Sequence, residues 1–257
     1  TPFAQWLVEA VRPRSFVELG ALHGVSYFTF CESIQRSGCG TRCFAIDTWA
    51  GDEHTGFYGE DVWNHVSQLN ARKFSAFSTL LRSTFDEALS EFADDSIDLL
   101  HIDGRHFYED VKHDFESWVP KLSKSAVVLF HDTNVHERGF GVARLWRELK
   151  ARYPSSEFDH GNGLGVLAAG PQVPPGLLSL FEASNEASLG AAIRSAYARL
   201  GAAVSDRLSL RHEESMVARL RSDIALVQAG GTAAADEAAR LRERLSQVEG
   251  TQHVVEE

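Results

Sequence analysis

Short apolar segments alternate with segments of helical periodicity through the first 170 residues, and this alternation constrains the fold more than any other feature. The candidate strands are residues 15–20, 43–47, 75–82, 97–103 and 126–130. Segments of helical periodicity lie at 3–11, 25–36, about 60–74, 84–92, 107–119 and 140–152. Because a parallel crossover needs a connection of helix length, this order predicts an α/β fold built on an open, mostly parallel sheet.

The last part of the sheet is predicted from two shorter apolar segments, 156–159 and 164–169, which flank His160-Gly161-Asn162-Gly163. A glycine-containing turn between two strands predicts an antiparallel hairpin, which brings the sheet to seven strands. We expect this domain to occupy residues 1–170. The proline-rich segment that follows predicts a linker over 171–186, and the Ala, Leu, Arg and Glu content beyond it predicts a helical tail over 187–257.

A heptad repeat begins at Val217 in the tail and keeps its register for five repeats. The seam positions are Val217, Ile224, Gly231, Ala238 and Leu245, and Leu220, Val227, Ala234, Leu241 and Val248. Such a stripe predicts a coiled coil, and therefore a homo-oligomer formed through the C-terminal helix. The alternative is a solvated tail, because alanine-rich helical segments produce similar patterns.

Charge and composition exclude several classes of protein. The net charge of −11 argues against nucleic acid as a partner, because binding a phosphate backbone needs a basic face. No apolar segment reaches the roughly 18 residues of a membrane span. The three cysteines match no zinc pattern, and we expect them to be reduced in a cytoplasmic protein. Because the sequence starts at Thr1 rather than at a methionine, we expect flanking domains outside it.

The ends of the first two strands predict a nucleoside site. In an open parallel sheet, ligands bind beyond the carboxyl ends of the strands. Gly20 allows a close approach of the backbone to a ligand, and Gly24 opens the next helix. Asp47 ends the second strand, about where an acid binds ribose hydroxyls, although it could also cap a helix. Leu22 replaces the middle glycine of the nicotinamide fingerprint, which argues against an oxidoreductase.

The ends of the fourth and fifth strands predict a chemical site. Asp103 ends the fourth strand and His106 follows it, while His131 and Asp132 end the fifth. Two carboxylates and two imidazoles at neighbouring strand ends would converge on one crevice, where they suit general base catalysis or metal binding. Taken singly, Asp103 could cap the next helix and either histidine could be a packing residue. Asp103 and Asp132 could hold a hard divalent cation such as Mg²⁺.

A long loop over residues 48–59 follows the second strand and contains several aromatic and acidic side chains. Long loops in small domains are usually functional, so we predict a lid or an acceptor-binding loop. The side chains in question are Trp49, Asp52, His54, Phe57 and Tyr58.

Four motifs together resemble a known family: Glu18-Leu19-Gly20 with Gly24-Val25-Ser26-Tyr27, 47–52, 97–109 (ending Ile102-Asp103-Gly104-Arg105-His106-Phe107-Tyr108-Glu109) and 128–132. They resemble the class I S-adenosylmethionine-dependent methyltransferases of bacterial glycan and polysaccharide gene clusters, which sometimes share a chain with glycosyltransferases. They are more distantly similar to the O-methyltransferases that act on macrolide sugars. The resemblance covers residues 12–170 and implies a Rossmann-like methyltransferase fold.

The resemblance implies a role for each motif residue. Glu18 and Gly20 would contact the methionine part of S-adenosylmethionine. Asp47 would hold the ribose and Ser83-Thr84 would lie near the adenine. Gly24, Ser26, Thr48 and Asp103 complete the predicted cofactor site.

Catalysis is implied in the same way. His106 would be the base, assisted by Asp103 and His131. A divalent metal, Mg²⁺ or Mn²⁺, would bind Asp103, His131 and Asp132, although His131 stands where the relatives tend to have a carboxylate. We therefore expect methylation of a hydroxyl, on a sugar or glycan acceptor. The alternative is a non-catalytic scaffold that assembles a glycan-synthesis complex through its coiled coil.

Overall fold

The structure is a computed structural model that describes residues 2–53, 56–137, 139–229 and 240–245. It divides into two units, Thr1–Ala198 and Arg199–Glu257. The strands are β1 (Ser15–Leu19), β2 (Arg42–Asp47), β3 (Gly51–Asp52), β4 (Gly56–Phe57), β5 (Ser78–Arg82), β6 (Ile97–Ile102), β7 (Leu122–His131), β8 (Ser155–Phe158) and β9 (Leu164–Ala168). The helices are α1 (Pro2–Val11), α2 (Val25–Ser37), α3 (Glu60–Lys73), α4 (Phe85–Ala88), α5 (Tyr108–Trp118), α6 (Val142–Lys150), α7 (Pro175–Asn185) and α8 (Ala187–Ala229).

Seven strands form the main sheet of the first unit, in the order β5-β2-β1-β6-β7-β9-β8. The pairs from β5 to β7 are all parallel, whereas β9 is antiparallel to both β7 and β8. The predicted α/β fold and its closing hairpin are therefore confirmed. The strand order reverses between β1 and β6, so the crevice at their carboxyl ends is where this fold binds a ligand.

Alternation along each strand separates two apolar layers, one on each face of the sheet. On β1, Phe16 packs into the layer that includes α1 and α2, whereas Val17 and Leu19 pack into the layer that includes α5 and α6. Because both faces are covered, the central strands are apolar nearly throughout rather than alternating with polar residues. Glu18 and His101 are exceptions, since both are buried in the first layer.

The predicted linker is wrong over most of its length, because residues 175–185 form helix α7. Pro175 lies in the first turn, where the missing N–H of proline costs nothing. Leu177, Leu180 and Phe181 then recur at helical spacing and are buried in the α1–α2 layer. The first unit extends to Ala198 rather than to residue 170, because α7 and the start of α8 complete this layer.

The tail contains the long helix α8. Among the heptad positions, Val217, Leu220 and Ile224 are buried, and Leu241 and Leu245 are half-buried. The glycine pair 230–231 and the seam positions 234, 238 and 248 lie outside the described residues, as does the side chain of Val227. The coiled coil stays a prediction. No helix within the described ranges combines the length and apolarity that crossing a membrane would need.

Candidate active site

Strands β1 and β6 approach each other closely where the strand order reverses. The Asp103 backbone N–H donates to the Leu19 carbonyl, and a Cβ added to Gly20 would lie 2.1 Å from the Asp103 carbonyl oxygen. Gly20 also has a φ of 85°, a backbone conformation that side chains disfavour. Glycine is therefore required here by space and by conformation, and it opens the crevice predicted from the sequence.

A cavity occupies this crevice, and five of the predicted cofactor residues line it: Gly20, Asp47, Thr48, Thr84 and Asp103. The remaining lining residues come from the adjoining turns and loops: Leu22, Gly51, Asp52, Tyr58, Phe85, Gly104 and Arg105. The ends of β1, β2 and β6 and the turn after β5 therefore meet at one cavity, as their topology requires.

The Asp47 carboxylate holds the turn after β1. Its Oδ2 accepts hydrogen bonds from the backbone N–H groups of Ala21 and Leu22, each at 2.9 Å, and its Oδ1 accepts one from Trp49 at 2.7 Å. Leu22 has a φ of 45°. The chain therefore adopts at Leu22 the left-handed conformation that glycine favours, and the bonds from Asp47 stabilise it. Oδ2 thereby uses both of its lone pairs, whereas Oδ1 keeps one for a further donor.

Four predicted cofactor residues are absent from the lining of this cavity in the described part of the chain. Glu18 is fully buried, and its two oxygens bind Ser26 Oγ and His101 Nδ1, each at 2.8 Å. Gly24 precedes α2 with a φ of 75°, and the Ser83 hydroxyl is buried and has no hydrogen-bond partner among the residues that the structure describes. These four predicted residues, Glu18, Gly24, Ser26 and Ser83, are therefore distinct from the five that line the cavity.

Four side chains at the ends of β6 and β7 form a second group. The Oδ1 of Asp103 lies 3.2 Å from His131 Nδ1 and 3.6 Å from His106 Nε2. On the other side, Asp132 Oδ2 lies 3.0 Å from His106 Nε2, and Asp132 Oδ1 lies 3.1 Å from His131 Nδ1. The predicted convergence is therefore observed, and we call these four residues the Asp–His cluster.

The left-handed backbone of Asp132, with a φ of 61°, helps to form this cluster. Consecutive residues of a strand point to opposite faces, so a straight continuation of β7 would separate the side chains of His131 and Asp132. The turn at Asp132 instead returns its carboxylate to the ring of His131. Aspartate tolerates this conformation better than most residues.

Opposite charges dominate the acid–base behaviour of the Asp–His cluster. Burial disfavours the charged form of every member, but pairing with the histidines outweighs it and lowers the pKa of Asp103 and of Asp132 well below the usual range. Burial likewise opposes the charge on the histidines, yet the carboxylates raise the pKa of His106 to about 9 and that of His131 to about 10. At neutral pH the cluster therefore consists of two carboxylates and two imidazolium ions.

The same cluster fits a divalent cation. Asp103, His131 and Asp132 each offer one ligand atom, and these atoms all lie within 4.8 Å of one another. Metal–ligand bonds of about 2.1 Å span such a set after small side-chain movements. Two carboxylates with one imidazole suit Mn²⁺ better than Mg²⁺, because imidazole is a softer ligand.

The segment after β7 holds His106 in place. The Phe140 ring stacks on the His106 ring, with centroids 4.5 Å apart and planes 11° from parallel. The backbone N–H of Gly141 donates to the His106 carbonyl at 2.7 Å. A Cβ on Gly141 would lie 2.3 Å from the Tyr108 backbone, so this close approach depends on glycine. Sequence analysis missed Phe140, although the Gly-Phe-Gly pattern signals a close contact.

The loop over 48–59, which the sequence predicts to be a lid or an acceptor-binding loop, borders the cavity. Its strands β3 and β4 form a small antiparallel hairpin, and Gly51, Asp52 and Tyr58 line the cavity. Phe57 is 79% exposed, as an acceptor-binding residue could be. Trp49 departs from the prediction because it is buried, with its Nε1–H bound to the Leu22 carbonyl. His54 lies outside the described residues.

Comparison with known families now bears on this site. The family model described as a methyltransferase domain matches residues 17–133, which include most of β1, the cavity and the whole Asp–His cluster. This part of the chain is therefore similar to methyltransferase domains. The methyltransferase predicted from the strand-end motifs is thereby confirmed, and its resemblance-based assignment to the glycan-cluster branch stays a prediction.

Relatives of the methyltransferase domain include y4gI, an uncharacterised protein of Sinorhizobium fredii that is 55% identical over 179 residues. The match covers 70% of this chain and 20% of y4gI, so the chain spans about a fifth of that relative. Among solved structures, a candidate caffeoyl-CoA O-methyltransferase from Staphylococcus aureus is 16% identical with a TM-score of 0.52, over 66% of this chain and 82% of that one. The S-adenosylhomocysteine-bound methyltransferase PaMTH1 from Podospora anserina is 10% identical with a TM-score of 0.50, over 65% and 76%. At these identities the likeness is one of fold, and it confirms the Rossmann-like methyltransferase fold.

Two lining residues of the methyltransferase domain were missed as cofactor contacts, namely Phe85 and Arg105. Phe85 follows Thr84 directly at the start of α4, so an apolar residue next to a strand end was the available signal. Arg105 lies inside the most specific motif, but only the structure shows that it lines the cavity and binds Glu53 at 2.9 Å.

Proposed function

We propose that the chain is an S-adenosylmethionine-dependent O-methyltransferase. The observation that supports this most directly is the position of Asp103, which lines the cavity at the ends of β1 and β2 and also contacts both histidines of the Asp–His cluster. A cofactor in the cavity and an acceptor beside the cluster would therefore meet at one residue. In-line alignment of the two reacting groups supplies much of the catalysis in such a reaction.

The cofactor site is assigned to the cavity, where S-adenosylmethionine would supply the methyl group. After binding the turn, Asp47 keeps a lone pair on Oδ1 that can accept a hydrogen bond from a ribose hydroxyl. Thr84 and Phe85 line the part of the cavity formed after β5, which suits an adenine ring. Asp103 lines the cavity and belongs to the Asp–His cluster, and the backbone at Gly20 lies against Asp103, so the methionine end is assigned there.

His106 is assigned as the base that takes the acceptor's hydroxyl proton at Nε2. In the arrangement described above His106 is protonated at neutral pH, so it accepts a proton only when another cation balances Asp103 and Asp132. This is the reason to include a divalent metal held by Asp103, His131 and Asp132. Bound there, the cation would act as a Lewis acid that lowers the pKa of the acceptor hydroxyl.

A sugar or glycan hydroxyl is the proposed acceptor. The cavity lining includes the aromatic ring of Tyr58 and the charged groups of Asp52 and Arg105, while Phe57 is exposed on the adjoining hairpin. Aromatic faces stack on sugar rings and charged groups bind their hydroxyls. These are features of the site, and the glycan class itself comes from the resemblance.

The partners of the protein and its location in the cell are also proposals. We infer a homo-oligomer through the C-terminal helix, on the strength of the heptad stripe. A glycosyltransferase on the same chain or in complex is consistent with y4gI, of which the match covers only 20%. The cysteines, which are all unpaired in the structure, suit a reducing cytoplasm.

Calorimetric titration with S-adenosylmethionine, S-adenosylhomocysteine and NAD tests the proposal. We expect micromolar binding of the first two and no heat with NAD. Asp47→Ala should weaken S-adenosylmethionine binding by about 1.5–3 kcal/mol, the cost of losing hydrogen bonds to a charged group. Binding of NAD instead, or of none of the three, would refute the assignment and favour an oxidoreductase or a non-catalytic scaffold respectively.

The metal requirement is tested by methyl transfer to hydroxyl acceptors after chelation. Activity should disappear on removal of divalent ions and return with Mn²⁺ or Mg²⁺. Full activity in thoroughly metal-free protein would show that the Asp–His cluster works without a cation.

A further inference from the structure

The buried pair Glu18–His101 has no part in the chemistry assigned above. Glu18 and His101 are direct partners in the parallel register of β1 and β6, and their side chains are joined by the 2.8 Å contact from Oε2 to Nδ1. The other Glu18 oxygen accepts a hydrogen bond from Ser26 in the first turn of α2. A continuous chain of contacts thus runs from α2 through β1 to β6.

The linked side chains of Glu18 and His101 lie in an apolar layer, where burying polar groups costs free energy. Glu18 is fully buried and His101 is 3% exposed, among apolar residues that include Phe16 and Leu99. Burial raises the pKa of Glu18 against the influence of His101, so the carboxylate resists ionisation there. Apolar side chains of similar volume would usually be at least as stable as a buried acid–imidazole pair. Stability alone therefore gives no reason for the pair.

The geometry also argues against a direct contact between Glu18 and the cofactor. Its side chain has no exposed surface, and both of its oxygens already have partners. The three linked side chains connect two parts of the site. Ser26 follows the turn over 20–24, which borders the cavity. His101 lies two residues before Asp103, so strand alternation places both side chains on the same side of the sheet.

We propose that the chain Ser26–Glu18–His101 positions the cofactor turn, and that Glu18 is a positioning residue rather than a cofactor ligand. The chain fixes the start of α2 against β6, and so sets the distance between the turn over 20–24 and Asp103. The inference rests on the proposed cofactor site. It replaces the direct contact of Glu18 with methionine that the family resemblance implied.

Replacing both partners with apolar residues distinguishes a role in positioning the cofactor turn from a role in stabilising the fold. In Glu18→Met/His101→Leu both partners are removed together, so no unpaired charge remains buried. We expect its thermal midpoint to stay within about 5 °C of the wild type, while calorimetry shows S-adenosylmethionine binding weakened roughly tenfold. A folded double variant with wild-type affinity would overturn the proposal, because the pair would then be structural only.

Combination with Ser26→Ala separates positioning from direct binding. If Glu18 acts through Ser26, Ser26→Ala weakens binding about as much as the double variant, and the triple variant is at most about threefold weaker still. Independent losses that multiply to roughly a hundredfold in the triple variant would instead assign Glu18 as a ligand.

A conservative variant provides a second test if the apolar double variant does not fold. In His101→Asn the amide nitrogen occupies the place of Nδ1 and can still donate to Glu18, so the affinity should stay within about threefold of the wild type. A folded His101→Asn variant with tenfold weaker binding would contradict the chain as drawn. Wild-type protein that fails to bind S-adenosylmethionine would refute the proposed function itself, which is a different result.

Discussion

At the scale of single residues, His106 has the position expected of a base, but at neutral pH its ring is protonated and has no lone pair to accept a proton. It contacts both carboxylates of the Asp–His cluster and is stacked on Phe140. His106→Ala should lower the rate of methyl transfer roughly 10²–10⁴-fold while leaving the S-adenosylmethionine dissociation constant nearly unchanged. Single-turnover methyl transfer and calorimetry measure the two effects separately. Near wild-type turnover in this variant would transfer the role to His131.

Asp114 on α5 is a second residue with an unusual environment, because burial raises the pKa of its carboxyl to about 7. Nearby Asp110 and Asp86 add to this effect and His113 opposes it. A raised pKa in the folded state means that Asp114 favours folding below about pH 4, and this contribution is lost as the pH rises through 7. At pH 8 the buried charge therefore destabilises the protein.

Asp114→Asn should consequently raise the free energy of unfolding at pH 8 by about 2–4 kcal/mol. The gain should shrink towards zero as the pH falls to about 3, since Asp114 is then mostly protonated in both states. Urea unfolding at several pH values measures it, with exposed Glu116→Gln on the same helix as the control. An equal effect at both pH values would show that the Asp114 charge is not the cause.

At the scale of secondary structure, the central strands agree with the sequence and the elements near the edge do not. Strand β5 starts at Ser78 rather than at residue 75, and the helix predicted over 84–92 is divided into the α-helical turn α4 and a 3₁₀ turn over Leu89–Glu91. A capping box between Thr84 and Glu87 starts α4. Propensity alone does not show where an edge element ends, because neighbouring packing decides it.

The junction of β1 and β6 allows a matched test of two glycines. Gly20 and Gly38 both have left-handed φ angles, 85° and 62°, but only at Gly20 would an added Cβ meet a neighbour, the Asp103 carbonyl oxygen at 2.1 Å. Gly38→Ala should cost about 1 kcal/mol, the strain of the backbone alone. Gly20→Ala should cost more than about 3 kcal/mol, because the strand ends must also separate.

Chemical unfolding compares the two glycine variants, and calorimetry reports cofactor binding. We expect Gly20→Ala to lose S-adenosylmethionine binding and Gly38→Ala to keep it. Equal stabilities would mean that the strand ends separate at no cost, and the cavity would then be less rigid than its contacts indicate.

At the scale of the whole molecule, the position of the domain end can be tested by truncation. A chain ending at residue 170 lacks Leu177, Leu180 and Phe181, which are buried beside α1. Losing three such side chains removes several kcal/mol of apolar burial, at roughly 1.5–3 kcal/mol each. We expect that chain to be unstable and a chain ending at Ala198 to fold and bind S-adenosylmethionine. Equal thermal midpoints for the two truncated chains would show that the domain ends at residue 170, as the sequence predicted.

Comparing the full chain with the chain that ends at Ala198 tests the oligomer. Light scattering should show the full chain as a homo-oligomer, most simply a dimer, and the chain ending at Ala198 as a monomer. A monomeric full chain at tens of micromolar would remove the coiled coil from the proposal.

The sequence by itself determined the layering of the first unit and the place of its site. Periods of two and 3.6 residues identify strands and helices, and parallel topology then brings the strand ends carrying Gly20, Asp47, Asp103 and His131 to one edge. The membership of the Asp–His cluster needed no further information. Neither did the methyltransferase domain, whose motifs are local.

Only the tertiary structure decided which of these residues face the cavity and which lie beneath it. Glu18 and Gly20 are two positions apart in one motif, yet one is buried against His101 and the other borders the cavity. Likewise, helix α7 follows prolines that predict a linker, and it is stabilised by an apolar surface contributed largely by α1. Contacts between distant segments decide both outcomes, and a pattern read along the chain does not contain them.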